Sequence, residues 1–151
     1  MRVVLQIVES SSVTLNGEKI SEIGKGFSLL VGFCNEDDEV IAKKMAEKIS
    51  KLRIFPDENG KTNLSLAAVG GAILSVSQFT LYGSVKEGNR PSFTNCMNQQ
   101  KAGDLYQYFL EELKKLAPSL QSNVFHTDCK VNIVNDGPFT LILDSKELFE
   151  K

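Results

Sequence analysis

The chain has 151 residues, 42% of them hydrophobic and 24% charged, with a formal net charge of −2. That length allows one domain with a substantial core, and that balance excludes a disordered chain and a uniformly basic nucleic-acid binder. No apolar run approaches the roughly 20 residues a membrane-spanning helix needs, so no membrane partner is expected. The three cysteines, Cys34, Cys96 and Cys129, are far apart and show no metal-ligand spacing. Reduced thiols in a cytoplasmic protein, in one domain spanning residues 1–151, are the expectation.

The opening stretch MRVVLQIVESSSVTL is too short and too broken in its apolar part for a signal peptide and reads as strand instead. Val3–Val8 and Ser12–Leu15 are expected as two short strands, Asn16-Gly17 as a tight hairpin turn, and 19–23 as the strand that returns. Phe27–Cys34 is a continuous apolar run and reads as a strand buried on both faces. Asn35 or Asp37 is placed to cap a helix that runs to about Leu52, with Ile41, Met45, Ile49 and Leu52 along its buried side. The acidic stretch 36–39 followed by Lys43, Lys44, Lys48, Lys51 and Arg53 suits a helix macrodipole.

Residues 56–61, PDENGK, form a loop, and Gly70-Gly71 introduces a strand over 72–81. A second helix is expected from about Asn98 to Leu116, with Ala102, Leu105, Phe109, Leu113 and Leu116 facing the core and Pro118 stopping it. The runs Val131–Asn135 and Phe139–Leu143 read as two strands, with NDGPFT as the turn between them. The implied fold is a single α/β domain: a mixed, mostly antiparallel, barrel-like sheet with two main helices packed on it.

The familiar catalytic constellations are missing. There is one histidine, His126, and a lone histidine near a strand is more often structural than catalytic. Gly24-Lys25-Gly26 precedes a strand rather than a helix and makes no phosphate loop. Two segments remain: SQFTLYG at 77–83, which alone reads as a half-exposed strand, and Gly137-Pro138.

Taken together these segments resemble the D-aminoacyl-tRNA deacylase family. KISKLRIF (48–55), DENGKTNLS (57–65), VSQFTLYG (76–83), GNRPSF (88–93) and VNDGPFT (134–140) occur in that family's order and spacing. The resemblance implies an esterase that frees D-amino acids, and glycine, from the 3′-terminal adenosine of aminoacyl-tRNA. It implies a homodimer with its active site at the subunit boundary, and no cofactor or metal. Ser77, Gln78, Phe79 and Thr80 then line the adenosine pocket and supply the catalytic groups. Gly137-Pro138, in the cis form and contributed by the partner subunit, excludes L-residues by its backbone, with Phe139, Thr140 and Cys129 alongside.

Steric exclusion of this kind rejects one hand without reading the other's side chain. The same resemblance leaves Thr80 as either a nucleophile or a positioning residue, with backbone amides around Phe79–Thr80 and Ser77 as oxyanion donors and the 2′-hydroxyl of the tRNA assisting. It also marks departures. Ile7 stands where the family carries arginine, Phe139 where valine is common, and Phe125-His126-Thr127-Asp128-Cys129 where Phe-Gly-Ala-x-Met is usual. Lys43, Lys44, Lys48, Lys86, Arg90 and Lys101 are candidate phosphate contacts. Release of a small mischarged L-residue such as L-alanine, and nucleic-acid binding without catalysis, are the competing functions.

Overall fold

The computed structural model describes residues 1–150. Its organising element is β1 (Arg2–Leu15), one unbroken strand of 14 residues where the sequence suggests two. Ser10–Ser12 look like a break, but Ser11 and Ser12 are buried and stay in the ladder, the Ser11 hydroxyl donating to the Asn132 carbonyl at 3.0 Å. Along one edge β1 pairs first with β3 (Gly26–Gly32) and then with β2 (Glu18–Ile23). The turn between β1 and β2 is the expected Asn16-Gly17, with φ of 50° and 81°, the left-handed pair a tight hairpin requires.

After β3 comes α1 (Glu39–Lys51). Its cap is Asp38, which accepts from the Ile41 N–H at 2.9 Å, rather than Asn35 or Asp37. Asp37 is engaged elsewhere, accepting from the Cys34 N–H at 2.7 Å. The PDENGK loop joins two strands that composition did not reveal, β4 (Arg53–Pro56) and β5 (Thr62–Ser65). The Asp57 carboxylate gathers this loop, accepting from the N–H groups of Asn59 and Lys61 at 2.9 and 3.0 Å.

β6 (Ala72–Ser77) lies parallel to β3. It stops at Ser77, and the expected extension to Leu81 is instead a 3₁₀ turn, Phe79–Tyr82. α2 (Gln99–Leu116) begins at Asn98, whose side chain accepts from the Gln100 N–H at 3.0 Å. Its buried residues are Ala102, Leu105, Tyr106, Phe109 and Leu113. Leu116 is exposed, because the helix ends as that position turns away from the sheet. β7 (Gln121–Ser122) extends the sheet beyond β6 in parallel. The Glu22 N–H donates to the Gln121 side chain at 2.7 Å, drawing the far edge round toward β2 in a nearly closed barrel.

The largest correction concerns NDGPFT. Val131–Asn135 and Phe139–Leu143 do not form a hairpin with each other. They are the two ends of one strand, β8 (Lys130–Asp144), and both pair antiparallel with β1 along its free edge. Gln6 faces Thr140 and Val8 faces Asn135, so the intervening residues arch out as a wide bulge. The charged tail then forms α3 (Ser145–Phe149).

The main core lies between the sheet and α1 and α2, and includes Val3, Leu5, Ile7, Phe27, Phe55 and Phe109. Phe27 and Phe55 stack with ring centroids 5.3 Å apart. Each such buried side chain contributes about 1.5–3 kcal/mol. A smaller cluster, Val8, Val13, Ile23, Leu74 and Val76, fills the inside of the barrel. No described helix is long and apolar enough to cross a membrane.

Candidate active site

β3 and β6 run parallel and end side by side, and a cavity of about 560 Å³ opens at their carboxyl ends. Crevices at that end of parallel strands are common ligand sites, and this volume suits a small-molecule group. Val31, Gly32 and Phe33 form its floor. Ser77, Gln78 and Phe79 form one wall, the start of α2 at Met97, Asn98 and Gln99 a second, and Phe125–Asp128 a third.

The wall made by Ser77–Tyr82 is held at both ends. The Gln78 N–H donates to the Val31 carbonyl at 2.7 Å, the last bond of the ladder, and then Leu81 N–H and Gly83 N–H close onto Gln78 and Thr80. This needs a glycine at 32: a Cβ there would sit 2.8 Å from the Gln78 carbonyl oxygen and 2.8 Å from the Leu81 Cβ. At the far end Arg2 donates to the Leu81 carbonyl at 2.9 Å while pairing with Asp144 at 3.0 Å and lying over the Tyr82 ring. Phe79 leans on Phe93 at the rim.

Beneath the wall is a buried polar chain. Asn123 accepts the Ser77 N–H at 3.0 Å and donates to the Ser77 hydroxyl at 3.1 Å. Tyr106 donates to the same Asn123 oxygen at 3.2 Å and meets Ser75 at 3.0 Å. Burial pushes the Tyr106 phenol well above its ordinary value, so it remains a neutral hydrogen-bonding group. Neither Asn123 nor Tyr106 carried any signal in the sequence.

Ser77, Gln78 and Phe79 therefore come together on the cavity. Thr80 is exposed behind them, and its hydroxyl accepts from the Gln78 amide at 2.8 Å, a neutral partner rather than a base. The Ser77 N–H is already committed to Asn123, whereas Phe79 and Thr80 head the 3₁₀ turn, where N–H groups find no acceptor within the turn itself. Cys96 also borders the cavity, but burial pushes its thiol up and keeps it protonated, unlike an activated nucleophile. Among the described residues no cluster of three or more His, Cys, Asp or Glu is placed to hold a metal ion.

The remaining expected residues lie apart from this cavity. Asp136, Gly137 and Pro138 are exposed on the bulge of β8, with the Gly137–Pro138 peptide cis and Gly137 at φ 122°. Phe139 roots the bulge by packing against the core cluster that contains Ile7. Ile7 is itself buried in that cluster, an apolar side chain at the position where the resemblance has arginine. Thr140 accepts from the Gln6 side chain at 3.1 Å. Cys129 packs against the small barrel cluster, while its neighbours Phe125–Asp128 line the cavity. His126 has a positive φ of 59°, and the ring of Phe125 beside it packs at a tilt of 36° on Tyr106 with centroids 5.9 Å apart. Lys43, Lys44, Lys48, Lys86, Arg90 and Lys101 are all exposed.

The fold is a one-domain α/β barrel with a cleft of about 560 Å³ at its parallel strand ends. The model of the D-Tyr-tRNA(Tyr) deacylase family matches residues 4–144, and the chain belongs to that family. It is 51% identical over 144 residues to a D-aminoacyl-tRNA deacylase of Lactobacillus helveticus, covering 95% of this chain and 99% of that one. A protein of the same name from Symbiobacterium thermophilum is 44% identical over 149 residues, covering 99% of each. Among solved structures, the c-Myc DNA Unwinding Element Binding Protein superposes with a TM-score of 0.90 at 40% identity, covering 95% of this chain and 98% of that one. A probable eukaryotic D-amino acid tRNA deacylase shares the fold, with a TM-score of 0.84 at 17% identity over 94% of this chain and 97% of its own.

Proposed function

We propose that this chain is a D-aminoacyl-tRNA deacylase, hydrolysing the ester between a D-amino acid, or glycine, and the terminal adenosine of tRNA. The observation that carries the reading is the cavity walled by Ser77, Gln78 and Phe79, in a chain about half identical along nearly its whole length to proteins of that name. The terminal adenosine enters the cavity. Water attacks the ester carbonyl carbon, the bond to the 3′-oxygen breaks, and that oxygen leaves with a proton relayed by the neighbouring 2′-hydroxyl. Oxyanion charge is met by the N–H groups of Phe79 and Thr80 and by Ser77.

Chirality is read by a second copy of the chain. Gly137 and Pro138 are exposed on β8, and β8 is an edge strand with exposed Val134 and Ile142 near them. Such an edge suits pairing with another chain. In the homodimer each bulge enters the partner's cavity, and its backbone closes the space an L-side chain would need. Phe139 and Thr140 hold the bulge at its base, and Cys129 supports the loop of the third wall.

Thr80 positions rather than attacks, because the Gln78 amide beside it takes up no proton. Thr80→Ala is expected to keep about a tenth or more of native hydrolysis, since a neutral hydrogen bond of about 0.5–1.5 kcal/mol corresponds to roughly tenfold or less in rate. Loss to background with tRNA binding intact would make Thr80 the nucleophile. The function itself is tested with matched D- and L-aminoacyl-tRNA. Release of D-amino acid and glycine with L-esters spared is expected. Preferential release of L-alanine, or binding without turnover, would overturn it.

A further inference from the structure

Asn123 is 8% exposed and belongs to none of the segments that carry the family resemblance, yet it touches Ser77 twice. Its orientation follows from its neighbours. The Ser77 N–H can only donate, so the atom facing it at 3.0 Å is the Asn123 oxygen. The Asn123 nitrogen then faces the Ser77 Oγ at 3.1 Å and the Val124 carbonyl, which can only accept, at 3.3 Å. Turning the amide over would set donor against donor and acceptor against acceptor. Tyr106 must donate to the Asn123 oxygen, 3.2 Å away, and Ser75 must then donate to Tyr106 at 3.0 Å. Every hydrogen in the chain is accounted for except one.

That one belongs to the Ser77 hydroxyl. Its oxygen already accepts from Asn123, and among the described residues its hydrogen has no acceptor. Ser77 is half-buried and lines the cavity. We propose that Asn123 is a positioning residue that fixes Ser77 as a hydrogen-bond donor aimed into the cavity, so that the hydroxyl meets the oxygen on which charge develops when the ester is attacked. The Ser77 backbone N–H is taken out of that role by the same side chain. The inference rests on the deacylase reading and assigns which Ser77 group serves it.

Asn123→Asp tests it. The carboxylate keeps an oxygen for the Ser77 N–H and for Tyr106, but it replaces the donor at Ser77 Oγ with an acceptor. The hydroxyl hydrogen then turns away from the substrate. The expected result is a fall in kcat on D-aminoacyl-tRNA of about 100-fold, the scale of losing one oxyanion donor, with KM within about threefold. Ser77→Ala should lose as much, and the double variant no more than either alone, since both changes remove one interaction. Tyr106→Phe, which leaves both Ser77 contacts in place, should lose less than about threefold in kcat.

Losses that multiply in the double variant would overturn the inference, as would an Asn123→Asp enzyme of native activity. If that variant does not fold, exchange of the Asn123 side-chain amide hydrogens in the unmodified protein decides. Both should be slow, and Ser77→Ala should speed one of them at least 10-fold; rates of a freely exposed amide in the native protein would overturn the clamp. A native chain inactive on D-aminoacyl-tRNA would sink the deacylase reading and the kinetic role together. Multiplying losses in an active native chain would sink only the role given to Asn123.

Discussion

The cavity wall and the β8 bulge are both made of short, irregular backbone, but their surroundings are opposite. Ser77–Tyr82 is fastened to β3, to Arg2 and to the buried Asn123–Tyr106–Ser75 chain. Asp136–Pro138 is exposed and fastened only at its root, through Phe139 and Thr140. The wall is held on several sides by its own chain, whereas the bulge stands exposed. A change in the wall should therefore disturb folding and function together, and a change in the bulge should disturb function more than folding.

Gly32→Ala should produce the largest effect. A Cβ 2.8 Å from a backbone oxygen on the wall forces Gln78 and the 3₁₀ turn to move, at a cost of about 1–3 kcal/mol in stability. Hydrolysis of D-aminoacyl-tRNA should drop at least about 100-fold, as expected when reacting groups shift by an ångström. Denaturant titration and single-turnover kinetics would show both losses. A stable but inactive protein would break the comparison on the wall side.

Gly137→Ala is the counterpart on the bulge. Its φ of 122° is poor for any residue with a Cβ, and that atom would lie 3.1 Å from the Phe139 nitrogen. The exposed site can relax, so stability should fall by only about 1 kcal/mol. Discrimination between D- and L-esters should suffer more than folding does. The ratio of the two rates, read beside the melting temperature, tests this; an unchanged ratio would remove the bulge from chiral selection.

The smallest effect belongs to neither region and serves as a control. Asp57 is held below the usual carboxylate range, mainly by the Lys61 N–H and also by those of Asn59 and Asn63. A carboxylate depressed in the folded state lends stability that is whole above its unfolded value and fades as pH falls through the folded one. The melting-temperature gap between native protein and Asp57→Ala should thus be present at neutral pH and shrink below about pH 4, the unfolded carboxylate value. Deacylation should scarcely change. Loss of activity here would mean that the β4–β5 hairpin belongs to the site.

How much of this was legible in the sequence depended on how local each signal was. Asn16-Gly17 announced its hairpin, and the spacing of Met45 and Ile49, and of Leu105, Phe109 and Leu113, placed both helices. The continuity of β1 was hidden because Ser10–Ser12 are polar, but they pair with Val134, Ile133 and Asn132 on β8, and Ser11 and Ser12 also with Ile23 and Glu22 on β2. The same distance in sequence concealed the role of NDGPFT, whose turn-forming residues are real but whose flanks pair with β1 instead of each other. SQFTLYG alternates like a strand, yet the close approach of Gly32 bends it into a turn. Asn123 was invisible because its importance comes from Tyr106 and Ser77, residues far from it in the chain.

The β8 bulge also sets a counting rule. From Gln6 to Val8 on β1, the opposite strand runs five positions, Thr140 to Asn135; from Val8 to Ser10 it runs one, Asn135 to Val134. Each irregularity is odd, and the one at Glu9 on β1 turns the later side chains over to the other face. Leu141 and Leu143, opposite Leu5 and Val3, therefore pack against the main core, whereas Val131 and Ile133, opposite Val13 and Ser11, pack against the smaller barrel cluster. The extra residue at Glu9 is where the strand pair passes from one cluster to the other. A one-residue slip of β8 against β1 beyond the bulge would carry exposed Val134 inward and Ile133 out.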